Sequence, residues 1–189
     1  IRQRFPEFPY RRAFFVETDT QLTVYAHWGD RVAEDLRHEV THGYVHTMVP
    51  QIPLWLDEGL AEYFEVPRGQ QGLNSPHVQL LARQIRQVDW RPNMARLELL
   101  PDAGSMNQLD YAESWAWVHW LLETEEPRYQ LLTQYLQALK RDGNALPLRI
   151  PLRELQPDMD ESLRQHILAL FQTQQQGNKI ERPDFETPF

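Results

Sequence analysis

The chain has 189 residues, 41% hydrophobic and 11% aromatic, with a net charge of −8. That length suits one domain with a real core, and the apolar content excludes a disordered chain. The acidic balance excludes nucleic acid or an anionic membrane as the main partner, because both require a basic surface, and the short cluster Tyr10-Arg11-Arg12 does not change this.

Cysteine is absent, so disulfides, thiolate metal sites and cysteine nucleophiles are excluded. No apolar run approaches the ~20 residues of a membrane span. The chain opens on Ile1 rather than Met. The expectation is an exported bacterial protein, periplasmic or extracellular, whose signal peptide has been removed, although a lack of cysteine fits cytosol and export alike.

Taken in chain order, Arg12–Thr18 and Gln21–Trp28 are rich in β-branched and aromatic residues, with the turn signal Asp19-Thr20 between them, and predict a β-hairpin. Asp30 is placed to cap a helix that runs to Val49, where Pro50 stops it. Pro53 suits the first turn of a second helix reaching Phe64 or Glu65. After a loop marked by Pro67, Gly69 and Gly72, a third helix is predicted over His77–Val88. Tyr111–Glu123 is a strongly apolar helix, and Tyr129–Arg141 is another, ended by Asp142-Gly143. A last helix starts at Asp160 or Ser162 and runs to Gln174. The polar end, 175–189, reads as a tail or surface arm, leaving 1–174 as one domain. The pattern is α+β and helix-dominant: a small N-terminal hairpin on a helix pair, then a C-terminal helical bundle.

The chemistry concentrates in RHEVTHGYVH, Arg37 to His46. Residues four apart on a helix lie one above the other, so His38 and His42 offer two imidazoles to one ion, with the Glu39 carboxylate beside them. This is the HExxH pattern, two zinc ligands and a general base on one helical turn. His46 continues the stripe, but at ~1.5 Å rise per residue it lies ~12 Å beyond His38. Three histidines on one straight helix cannot converge on a single ion, so His46 is assigned to packing or to holding a ligand. The next helix supplies Glu58 and Glu62, also four apart: Glu58 as a third zinc ligand and Glu62 as a carboxylate that orients a histidine ring.

His38-Glu39-Val40-Thr41-His42, followed by PLWLDEGLAEYF, resembles the gluzincin metallopeptidases, the group that contains thermolysin and the zinc aminopeptidases. It is most similar to the bacterial peptidase-MA-like proteins, and YAESWAWVHWLL at 111–122 resembles their downstream helix. The resemblance spans about Ala13 to Leu122. It implies zinc bound by His38, His42 and Glu58, Glu39 as general base, and Glu62 behind the ligands. Fifteen residues separate His42 from Glu58, fewer than in thermolysin, which keeps Glu62 open as the alternative ligand. The glycine-rich exopeptidase motif of the aminopeptidases does not precede Arg37, so the implied activity is that of an endopeptidase on a peptide or protein substrate.

In such an enzyme Glu39 takes a proton from a zinc-activated water and passes it to the leaving amine. Tyr111 is the candidate donor to the oxyanion, and His119, flanked by tryptophans, is read as a packed residue and the second choice. The edge of Gln21–Trp28 is the candidate strand for pairing with an extended substrate. The competing expectation is a zinc-binding domain that holds a peptide with little turnover.

Overall fold

The structure is a computed structural model and describes residues 13–18 and 21–180. The turn expected at Asp19-Thr20 lies outside those residues, as does the end of the chain after Ile180. Two antiparallel strands, β1 (Ala13–Thr18) and β2 (Gln21–Ala26), pair in the register Ala13 to Ala26 and Thr18 to Gln21. Eight helices follow among the described residues: α1 (Val32–Met48), α2 (Leu54–Phe64), α3 (Ser75–Val88), α4 (Met94–Leu97), α5 (Gln108–Glu123), α6 (Glu126–Asp142), α7 (Arg149–Leu155) and α8 (Met159–Ile180). The fold is α+β and helix-dominant, as the sequence pattern requires.

α5 is the centre of the molecule. Its Asn107–Asp110 capping box satisfies the first-turn N–H groups, and Trp115, Trp117, Trp120 and Leu121 on its different faces are all buried. A helix apolar all round must be enclosed, and α2, α3, α6 and α8 enclose it. α1 lies between the hairpin and α2, so its histidine face meets α2 rather than solvent. The α2–α5 contact is tight because residue 59 is glycine: a Cβ there would lie 2.6 Å from the Ser114 carbonyl oxygen and 2.8 Å from Val118 Cγ2. Trp55 and Trp115 belong to this core.

Several boundaries differ from expectation. Asp30 does not cap α1. It is drawn into a turn closed by the Val32 N–H on the Gly29 carbonyl at 3.0 Å, and Arg31 occupies the N-cap without a side-chain bond. Glu34 and Asp35 in the first turn still complement the helix dipole. Pro53 is the N-cap of α2 rather than part of its first turn. α8 continues to Ile180, so the first residues of the expected tail are helical. The two short helices α4 and α7 have no expectation behind them, because four and seven residues carry too little periodicity to register.

Between α5 and α8, His119 Nδ1 and His166 Nε2 are 3.0 Å apart, one donating and one accepting, which requires the accepting ring to be neutral. Burial pushes both down to about 4 from the usual 6.5. The unfolded chain takes up those protons first, so the contribution of the pair is complete above pH 6.5 and lost as pH falls through about 4, at about 1.4 kcal/mol per unit of separation. Glu113 acts with the opposite sign: burial pushes it up to about 7, so its contribution is present at low pH and lost as pH rises from 4.5 to 7. His166→Gln should therefore flatten the fall in stability between pH 6.5 and 4, read from urea unfolding at a series of pH values. An unchanged slope would mean that folding does not alter the protonation of His166.

Candidate metal centre

α1 and α2 are joined by a short loop, and their facing sides enclose a cavity of about 770 Å³. His38, Glu39 and His42 enter it from α1, and Glu58 and Glu62 from α2. Glu58 Oε2 stands 3.6 Å from His38 Nε2 and 3.6 Å from His42 Nε2. Ligand atoms of the three residues all lie within 4.8 Å of one another. Tetrahedral zinc with ~2.05 Å bonds sets its donors about 3.4 Å apart, so the donor set fits that ion with little adjustment. The two Nε2 atoms face Glu58 because carboxylates occupy the Nδ1 side of each ring. Glu65 Oε2 lies 3.0 Å from His38 Nδ1, and Asp57 Oδ2 lies 3.0 Å from His42 Nδ1 at an angle too oblique for a full hydrogen bond. For His38 this is the usual support of a metal-bound histidine, a hydrogen bond that fixes the tautomer and the ring orientation.

The charges tell the same story. Burial disfavours a charged His38, but the Glu58 and Glu65 carboxylates outweigh it and raise its pKa to about 10. Burial also pushes Glu65 up to about 7, aided by its neighbour Glu62 and opposed by His38. Asp57 and Glu62 go the other way: burial opposes their charge, but His42 and His46 hold Asp57 low, and His77 holds Glu62 low.

The structure brings His38, Glu39, His42, Glu58, Glu62 and Tyr111 to the one cavity. Glu39 is buried and Tyr111 half-buried along its wall. Glu62 has a different partner from the one expected. Its Oε2 lies 2.7 Å from His77 Nε2 on α3, and the place behind His38 belongs to Glu65. The cause is helical phase: Glu65 lies three residues beyond Glu62, at the C-terminal end of α2, nearest to His38. His46 Nε2 lies 2.9 Å from Asp57 Oδ2, the carboxylate beside His42, and these three residues also bring ligand atoms within 4.8 Å of one another. His119 is packed in the core against Trp115 and His166. The strand beside the cavity is β1, not β2: Ala13 and Phe15 line it, and the Phe15 ring stacks on His42 at 5.7 Å.

Sequence reasoning missed Asp57, Glu65, Asn74 and His77. The Glu58, Glu62, Glu65 spacing of four and three was a legible signal for one acidic helix face. An isolated histidine at 77 carries none.

No curated protein and no solved structure matches the chain. A family model described as "Protein of unknown function (DUF1570)" matches residues 32–143, which run from the first residue of α1 to the residue after α6 and include the whole α1–α2 cavity face. That is more than half of the chain, and it belongs to the DUF1570 family.

Proposed function

We propose that this protein is a zinc-dependent metallopeptidase, an endopeptidase of gluzincin type. The observation that carries the reading is the meeting of His38 Nε2, His42 Nε2 and Glu58 Oε2 at ligand spacing, with the buried Glu39 lining the same cavity of about 770 Å³. The likeness of HEVTH and PLWLDEGLAEYF to the peptidase-MA-like proteins agrees with it.

His38, His42 and Glu58 would hold the ion. Zinc in such a site lowers the pKa of a bound water and polarises the substrate carbonyl. Glu39, on the same turn of α1, is placed to take the proton released in the attack and to return it to the leaving nitrogen. Tyr111, which lines the same cavity, would donate its hydroxyl to the oxygen that gains charge. Asp57 and Glu65 keep the imidazoles aimed throughout.

The test is cleavage of a mixed peptide library by the purified protein, before and after dialysis against a chelator. Turnover should disappear with the chelator and return when zinc is added back. Cleavage that survives metal removal would refute the reading.

A further inference from the structure

α3 begins where the supports of the metal site end. Asn74 is its N-cap and is buried, with Oδ1 accepting the His77 N–H at 3.4 Å. The Asn74 amide nitrogen faces the other way. Nδ2 lies 3.0 Å from Glu65 Oε1 and 3.3 Å from Glu62 Oε2. We infer that Asn74 is a positioning residue of the metal site: its side-chain amide ties Glu65, which orients the ligand His38, to Glu62, which binds His77.

The physical case is one of geometry. Glu62, on α2, and Glu65, its C-cap, are three residues apart, and each turns a carboxylate oxygen to the Asn74 amide. Asn74 supplies two N–H groups to the pair and adds no charge. Glu65 has two oxygens with two tasks: Oε2 meets His38 Nδ1 and Oε1 meets Asn74. Removing the amide frees the carboxylate to rotate, and the ring it holds loses its fixed direction.

Asn74 is itself held in place by the loop before it. Gly72 has φ +66, and a Cβ there would overlap the Tyr63 ring. The Gly72 carbonyl accepts the Trp115 indole N–H at 2.8 Å. A left-handed glycine, an aromatic ring of α2 and a tryptophan of α5 thus set where the amide lies. His77 packs tilted against that same tryptophan, ring centres 5.7 Å apart, so the His77 end of the bridge and the loop before Asn74 rest on one buried ring.

This inference rests on the proposed metal site. Asn74→Ser keeps a good N-cap while removing the amide, so α3 should persist, as far-ultraviolet circular dichroism would check. Zinc affinity is measured by competition with a chromophoric chelator, and the visible spectrum of the cobalt-substituted protein reports the ligand geometry. Asn74→Ser should bind zinc about ten-fold more weakly, the lower end of what a support behind a ligand contributes, with an altered cobalt spectrum. Glu65→Gln and the double variant should show nearly the same loss, since both changes cut one chain of contacts. Wild-type affinity and an unchanged cobalt spectrum in Asn74→Ser would overturn the inference and leave the metal reading standing. So would additive losses in the double variant. A wild-type protein that binds no zinc in the same titration would overturn both.

Discussion

Glu58→Gln should empty the site. The wild-type protein is expected to purify with about one zinc per chain, or to take up one when zinc is supplied. Glu58 Oε2 is the carboxylate oxygen that both imidazoles face at 3.6 Å, and in the proposed site it is the third ligand. An amide in its place removes the charge and the best donor at once. Supports behind a ligand are worth 10–100-fold in affinity, so loss of the ligand itself should exceed 100-fold. Glu62→Gln is the internal comparison. Its carboxylate faces His77, so zinc content should be largely kept. Elemental analysis of the three proteins decides the matter. Zinc kept in Glu58→Gln and lost in Glu62→Gln would exchange their roles. No zinc in any of them, even after adding it back, would reduce the histidine stripe to a helix face.

Glu39→Gln should separate chemistry from binding. Glu39 is adjacent to the ligand His38 in sequence yet is absent from the fitted ligand set, so the variant should keep its metal. A positioned base contributes about 10² to 10⁴ to rate, and peptide turnover should fall by that factor while metal content stays level. Turnover that persists at the wild-type rate would remove Glu39 from the mechanism. Zinc retained by a wild-type protein that cleaves no peptide would favour the binding-domain reading over the enzyme.

Much of the architecture was legible because its signals are local. Asp142-Gly143 ends α6 as expected, with Gly143 in the left-handed conformation at φ +64, because that stop depends on the residue alone. The shared face of His38 and His42 was legible for the same reason: two residues four apart on one helix face together wherever the helix goes, and both line the cavity. The errors fall where a neighbour in space decides. Asp30 has the chemistry of a cap, but a turn from Gly29 to Val32 had already claimed it. Glu62 has the spacing of a carboxylate behind a histidine of α1, but α3 supplied a histidine that the spacing within α2 does not show.

The sequence by itself determined the helix pair, the two imidazoles and the acidic face opposite them, since these follow from periodicity within single elements. Only the tertiary structure decided which acid serves which ring, which strand borders the cavity, and that Asn74 and His77 belong to the site at all. Those assignments depend on the loop between α2 and α3 and on Gly59, whose missing side chain lets α2 lie close against α5. Distances between helices are set by what each packs against, and no spacing along the chain encodes them.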